Sequence, residues 1–239
     1  MNDSDRLMGN LRVKKMAECM RRLREPLQGC QYEIGPFTGY EDAKDTALIF
    51  TDYVLLPISR FCTEQEASLT WEKVELILSD AGVGPANIWP EVGGIFAELV
   101  FNAAQHSFSP QGSCATVECF ECGGEVTYII AVADAGIGIP SSLRKNSKYA
   151  DVVDDWSAIS SATELGVTGT KEQRGVGLHY VAERVRAYLG ELAIISGNGF
   201  MMFRQDEEPV LRKLSEPPEG TTVLVSLPIP PLGQSHGRH

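Results

Sequence analysis

The sequence predicts an α+β protein, a two-layer α/β sandwich in which helices cover one face of a mixed, mainly antiparallel sheet. Two strand-like segments, residues 115–121 and 125–133, flank the glycine pair 123–124 and predict a β-hairpin. Further segments carry apolar residues three and four positions apart, which indicates helices. Three more predicted strands lie near the carboxyl end, at residues 191–196, 199–204 and 221–227. Helices segregated on one face of such a sheet are typical of this class.

The composition indicates a globular protein that does not bind nucleic acid as its main partner. The chain has 239 residues, of which 43% are hydrophobic and 22% charged. Its net charge of -11 opposes binding to nucleic acid, and any nucleotide site must therefore depend on local donors and a metal ion. The sequence contains no transmembrane segment and its polar start does not resemble a signal peptide, so we expect a cytoplasmic location.

The first predicted element is a basic amphipathic helix over residues 11–27. Apolar residues recur in it at helical spacing, and six basic residues stand against two acidic residues. Such a helix either docks on its own domain with a solvated basic face, or binds a partner or an anionic membrane surface.

The rest of the amino-terminal third is predicted as mainly helical. Residues 31–38 alternate weakly and predict an edge strand. Residues 42–61 predict a helix that is kinked or broken at Pro57, and residues 69–78 predict a second short helix. Residues 1–89 are thus expected to form a helical accessory region with one possible strand.

A helix that starts near Pro90 carries the first candidate site residues. Glu98, Asn102 and His106 are spaced by four and share one face. A carboxylate, an amide and an imidazole on one stripe suit an ion or phosphate site, although the pattern alone is more typical of a solvated face. Residues 93–94 are both glycine, which costs helix stability and indicates close packing or a close approach of a ligand.

The cysteines offer a second, weaker candidate. Cys119 and Cys122 have the spacing of a zinc-binding pair, but a structural zinc site needs four ligands, and no second pair follows at ligand spacing. Reduced cysteines near the tip of the predicted hairpin are the favoured interpretation.

Three glycine-containing segments follow the Glu98 helix. Residues 134–140 (Asp-Ala-Gly-Ile-Gly-Ile-Pro) end a predicted strand, residues 174–178 (Arg-Gly-Val-Gly-Leu) open a helix, and residues 220–222 (Gly-Thr-Thr) lead into the last strand. Together with the Glu98 helix, these elements in this order resemble the GHKL superfamily, the ATP-binding fold of gyrase, Hsp90 and sensor histidine kinases. The resemblance covers residues 90–228 and implies a histidine-kinase-like ATPase fold, with residues 229–239 as a flexible tail.

The resemblance implies a role for each residue of the Glu98 helix. Asn102 corresponds to the residue that holds Mg²⁺, for which an amide oxygen is a suitable hard ligand. Glu98 corresponds to the acidic residue that activates or positions the attacking group. His106, four residues after Asn102, is similar to the pattern of stand-alone serine kinases that act as anti-sigma factors, which places it among the nucleotide-binding candidates.

The resemblance also implies an adenine site. Asp134 corresponds to the carboxylate that accepts a hydrogen bond from the adenine amino group, assisted by the threonine that we match to Thr222. Gly136 and Gly138 lack side chains and let the backbone approach the base.

The phosphates are expected at the start of the helix that Gly177 opens, where free amide groups bind anions. Residues 141–174 correspond to the family's ATP lid, a long connection with basic residues. The candidate phosphate-binding residues are Lys171, Arg174, Gly175, Val176, Gly177 and Leu178.

The expected function is that of a stand-alone histidine-kinase-like ATP-binding protein. Mg-ATP-dependent phosphoryl transfer to a regulatory protein partner, of the anti-sigma serine kinase or histidine kinase type, is the favoured activity. An ATPase that uses lid closure as a conformational switch and a non-catalytic ATP-sensing module are the alternatives. Gln105 stands where sensor kinases usually carry a basic residue, and the predicted lid contains no phenylalanine. The sequence leaves the phosphoacceptor and the oligomeric state open, a homodimer included.

Overall fold

The computed structural model describes residues 3–28, 50–82, 84–122, 124–164, 166–167, 177–204, 207–216 and 218–229. The strand predicted at 31–38, the tail after 229 and the candidates Lys171, Arg174, Gly175 and Val176 lie outside these ranges. None of the helices within the ranges is long and apolar enough to cross a bilayer.

Six α-helices and seven strands form within the described ranges. In chain order they are α1 (Asp3–Gln28), β1 (Phe50–Phe61), α2 (Glu64–Ala81), α3 (Trp89–His106), β2 (Ser113–Cys122), β3 (Glu125–Asp134), α4 (Gly138–Leu143), α5 (Asp155–Ala162), α6 (Gly177–Ala187), β4 (Glu191–Ser196), β5 (Gly199–Arg204), β6 (Val210–Lys213) and β7 (Thr221–Ile229).

The strands form one seven-stranded sheet in the order β1-β2-β3-β7-β4-β5-β6. Every pairing described in it is antiparallel. The predicted hairpin is confirmed, since Cys122 pairs with Glu125 across the glycine pair. The predicted α+β class is likewise confirmed. Because β7 pairs with both β3 and β4, the last strand brings the two halves of the sheet together and places its start beside the end of β3.

Side chains alternate between the two faces of the sheet, and helices cover both faces. Ile130 and Val132 of β3 pack into the larger core with α2, α3 and α6. Ile129 and Ala131 point to the other face and pack against α1. The helices of the larger core all lie on one face of the sheet, as the sequence predicts. Helix α1 was not expected there: it covers the opposite face and adds a third layer. Residues of β1 and α2 share the larger core with α3, so the boundary predicted at residue 90 separates residues that pack together.

Two arginines of α1 form ion pairs with glutamates of the sheet. Arg12 donates from Nε to both carboxylate oxygens of Glu191, at 2.8 and 3.0 Å, and from Nη1 to Glu125 at 3.0 Å. Arg22 donates to both oxygens of Glu118 at 2.6 Å. Burial raises the pKa of Glu191, and Arg12 counteracts that shift. Of the alternatives for the basic helix, the structure shows the one in which it docks on its own domain.

The predicted helix over residues 42–61 is wrong for residues 50–61, which form the edge strand β1. Its register against β2 shifts between Val54 and Leu56 and again between Leu56 and Ser59, and the second shift contains Pro57. Proline has no N–H to donate and is accommodated at sheet edges and bulges. Pro57 therefore marks an irregular edge strand here and not a helix break.

Two shorter elements complete the comparison with the sequence. The helix predicted at 69–78 is confirmed as part of α2, which begins with Thr63 accepting from Glu66 N and ends at Gly82 with a φ of 61°. Strand β6 was not predicted from the sequence; it lies between the predicted strands 199–204 and 221–227 and pairs with β5.

The structure gives no support to a zinc site at the hairpin. Cys119 packs in the larger core and Cys122 in the α1 core, because residues three apart in a strand point to opposite faces. Among the described residues, no group of three or more histidine, cysteine or acidic side chains is arranged to hold a metal ion.

Candidate functional site

A cavity opens where α3, α4, α6 and the adjoining ends of β3 and β7 meet. Its volume is about 140 Å³, roughly ten times the space that one buried water needs. Apolar side chains of the sheet and α4, including Val132, Ile139 and Val223, form one wall. The predicted site residues that line the cavity are Asn102, His106, Asp134, Gly138, Gly177 and Leu178.

Asp134 is held at the end of β3 by backbone that approaches it closely. The residue is only 5% exposed, and its carboxylate Oδ1 accepts a hydrogen bond from Gly136 N at 2.8 Å. A Cβ on Gly220 would lie 2.6 Å from this same oxygen, and one on Gly136 would overlap the carbonyl of Ser107. Glycine is therefore required at both positions, because backbone fills the space that a side chain would occupy.

Ser196 is a site residue that the sequence analysis missed. Its hydroxyl accepts from Ile139 N at 2.8 Å, donates to the carbonyl of Gly220 at 3.2 Å and lies 3.0 Å from Thr221 Oγ1. It also lies 2.9 Å from the position that a Cβ on Gly138 would take. Ser196 thus ties the start of α4 to the start of β7. No local motif marks it, since it is simply the last residue of a strand.

The threonine of the cavity is Thr221 and not Thr222. Thr221 and Val223 line the cavity, whereas Thr222 between them points to the opposite face of the sheet and is fully buried. No hydrogen-bond partner for Thr222 Oγ1 occurs in the described part of the chain. The prediction of Thr222 is therefore corrected by one residue, because neighbouring residues in a strand face opposite sides.

Glu98 and Asn102 lie against the first residue of α6. A Cβ on Gly177 would lie 2.8 Å from Glu98 Oε2 and 2.9 Å from Asn102 Nδ2, so any side chain at position 177 would displace the ends of these two site residues. Burial raises the pKa of Glu98 above its usual value. Burial also lowers the pKa of His106, although the charge of Glu64 opposes this shift. Glu98 is thereby a stronger proton acceptor than a solvated carboxylate, and His106 stays neutral at pH 7.

The start of α6 faces the cavity through Gly177 and Leu178. The first amide groups of a helix have no partner within the helix, and its dipole favours anions at this end. This end of α6 is therefore suited to a phosphate group.

Part of the predicted lid at 141–174 is packed on the protein. Asp155, at the start of α5, accepts from Asn198 N at 2.9 Å and from Arg144 Nη2 at 2.7 Å. Ile159 of α5 is fully buried in the larger core. Arg144 also donates to two lid carbonyls, so its charge holds the lid backbone together and is not directed at the cavity.

Comparison with known families identifies the segment that builds this cavity. The model of one family, described as histidine kinase-, DNA gyrase B- and HSP90-like ATPase, matches residues 90–231, more than half of the chain. The matched segment runs from α3 through β7 and includes all the elements that line the cavity. A search of curated proteins found no match.

Proposed function

We infer the function of this chain from its family, since the chain belongs to the histidine kinase-, DNA gyrase B- and HSP90-like ATPases and is an ATP-binding protein of the GHKL type. We propose that it transfers the γ-phosphoryl group of Mg-ATP to a regulatory protein partner, as a stand-alone kinase of the anti-sigma serine kinase or histidine kinase type. The observation that carries this proposal is the position of Glu98 in α3. Its carboxylate, whose pKa is raised, lies against the first residue of α6 and beside Asn102. A kinase of this kind needs a compartment that contains ATP, so a cytoplasmic location is part of the proposal.

The shape of the cavity supports binding of a purine base at the sheet end. Val132, Ile139 and Val223 provide an apolar wall for the ring. The Asp134 carboxylate, fixed by Gly136 N, supplies a charged acceptor for the exocyclic amino group of adenine. Thr221 is the adjoining polar group, in the role that we first assigned to Thr222.

The other end of the cavity fits a metal-bound phosphate chain. Asn102 would hold Mg²⁺ through its amide oxygen, and waters and phosphate oxygens would complete the shell that this ion prefers. When bound, the ion neutralises negative charge on the phosphates, which a chain of net charge -11 cannot do at long range. Gly177 and Leu178 would present the start of α6 to the same phosphates. Lys171, Arg174, Gly175 and Val176 remain proposed members of the phosphate site.

Glu98 would act as the general base. Its carboxylate would accept the proton of the attacking hydroxyl group, and the raised pKa brings its proton affinity closer to that needed at neutral pH. His106 would contact the nucleotide in its neutral form. The same base could activate water, which keeps an ATPase with a lid-driven switch as the second candidate. A non-catalytic ATP sensor would have no use for a base at this position.

The activity is tested by incubating the protein with ATP labelled at the γ-phosphate, alone and with a cell lysate. We expect label to appear on a second protein that depends on the lysate. Released inorganic phosphate without labelled protein would establish the ATPase, and binding of Mg-ATP without either product would establish the sensor. Glu98→Gln is the control variant, because it keeps the shape of the side chain and removes the proton acceptor.

A further inference from the structure

The two glycines within α3 have different surroundings. A Cβ on Gly93 would lie 3.7 Å from the nearest atom, Glu75 Oε1, which is an ordinary contact. A Cβ on Gly94 would lie 2.9 Å from the phenol oxygen of Tyr180, closer than such atoms approach one another. Gly94 is therefore a notch in α3 that receives the phenol of α6, and Gly93 is not.

The contact between Gly94 and Tyr180 lies one helical turn from the contact between Glu98 and Gly177, along α3 and along α6. Gly94 precedes Glu98 by four residues on the same face of α3, and Tyr180 follows Gly177 by three residues in α6. The two helices thus meet at two successive points, Gly94 with Tyr180 and Glu98 with Gly177. The distance between the helices at the first point sets the distance at the second.

Charged side chains hold the phenol in the notch. The guanidinium of Arg184 lies 5.8 Å from the centre of the Tyr180 ring, and its Nη1 donates to Glu91 Oε1 at 3.2 Å. Burial is the main cause of the raised pKa of Tyr180, and the charges of Glu91 and Glu98 act in the same direction while Arg184 opposes them. The phenol of Tyr180 is therefore near enough to Glu98 for the charge of Glu98 to act on it.

We propose that Tyr180 is a positioning residue for Glu98: seated in the Gly94 notch, it fixes the start of α6 at the distance from α3 that holds the Glu98 carboxylate beside Gly177. This proposal rests on the proposed function, since it assigns a role toward the catalytic base. The proposed role explains why residue 94 is glycine, since helix stability alone would favour alanine at this position.

The test is a double-mutant cycle on ADP release from Mg-ATP, measured with the full chain under whichever condition makes the wild type active. In Gly94→Ala the added methyl group displaces the phenol, and we expect kcat to fall roughly 10- to 100-fold, the effect of small misplacements near the chemistry. KM for Mg-ATP should stay within about threefold, because the nucleotide contacts are elsewhere. Gly93→Ala is the matched control and should change kcat by no more than about twofold.

Tyr180→Phe removes the atom with which the methyl group collides. The nearest remaining ring atoms lie 3.7 and 3.8 Å from that position. Tyr180→Phe alone should lower kcat by less than Gly94→Ala does, because the ring still occupies the notch without its hydroxyl group, and the double variant should show the kcat of Tyr180→Phe alone. Displacement of α6 also admits water to Glu98, and the acid limb of the kcat profile of Gly94→Ala should move to lower pH. If the contact only stabilised the fold, Gly94→Ala would lower the folded fraction, which circular dichroism measures. The acid limb of its kcat profile would then stay where it is in the wild type.

The outcomes separate this proposal from the proposed function. If the wild type turns over ATP while Gly94→Ala keeps wild-type kcat, or while the double variant is no better than Gly94→Ala, the positioning role is refuted and the kinase proposal stands. If the wild type binds Mg-ATP and yields no ADP with or without lysate, the proposed function fails, and the positioning role fails with it. If Gly94→Ala does not fold, Tyr180→Phe decides: wild-type kcat and pH profile in it would refute the role.

Discussion

Replacement of Asp134 by asparagine tests whether the cavity binds adenine. The carboxylate is nearly fully buried, and its Oδ1 accepts from Gly136 N at 2.8 Å. Asparagine can keep this bond through its own oxygen, which places its NH₂ group where the second carboxylate oxygen was. The adenine amino group then meets a donor where it needs an acceptor. Loss of a hydrogen bond to a charged group costs about 1.5–3 kcal/mol, or roughly 10- to 100-fold in Kd.

Titration calorimetry with Mg-ATP and Mg-ITP measures this effect. ITP carries a carbonyl oxygen in place of the amino group, so Asp134→Asn should weaken ATP by that factor and should bind ITP at least as tightly as the wild type does. Asp80→Asn, which changes an exposed carboxylate outside both the cavity and the predicted lid, controls for the change in net charge and should leave both affinities unchanged. A folded Asp134→Asn variant with wild-type affinity for Mg-ATP would refute the adenine assignment.

Three further predictions concern the phosphate end of the cavity. Glu98→Gln should still bind Mg-ATP, while its rate of phosphoryl transfer or hydrolysis should fall roughly 10²- to 10⁴-fold. In the wild type, kcat should fall as the pH drops below the raised pKa of Glu98. Wild-type turnover in the variant would exclude Glu98 as the base. Asn102→Ala should lose the magnesium-dependent part of nucleotide affinity, measured by calorimetry with and without a chelator, and an unchanged magnesium effect would exclude it as a ligand. Trypsin should cut after α5, at Lys171 or Arg174, faster without Mg-ATP than with it; equal rates would contradict a lid that closes on nucleotide.

Features that depend on a few neighbouring residues were predictable from the sequence. The hairpin of β2 and β3 follows from a glycine pair between two apolar segments, and β4 and β5 begin and end where the pattern placed them. Gly136 and Gly177 were identified through the resemblance to the GHKL superfamily, and the structure shows that the groups next to them are Ser107 for Gly136 and Glu98 and Asn102 for Gly177.

Features that depend on which face a residue takes were not predictable. Thr221 and Thr222 are the same residue type in adjacent positions, and only the register of β7 decides which one faces the cavity. Ser196 gains its role from Ile139 and Gly220, which are distant in sequence, and residues 50–61 form a strand because an edge position accommodates Pro57. Such contacts leave no local pattern from which to infer them.

The ion pair between Arg12 and Glu191 makes the segment that forms the nucleotide site depend on α1. The family match starts at residue 90, yet a protein cut there would lose α1, uncover apolar residues such as Phe120 and Phe200, and leave β2 as an open edge. Glu191 would lose the guanidinium of Arg12, from which both of its carboxylate oxygens accept hydrogen bonds. An apolar sheet face with a free edge promotes aggregation. The segment that matches the family therefore would not remain soluble when expressed by itself. Its solubility depends on α1, although the described residues of α1 do not line the cavity.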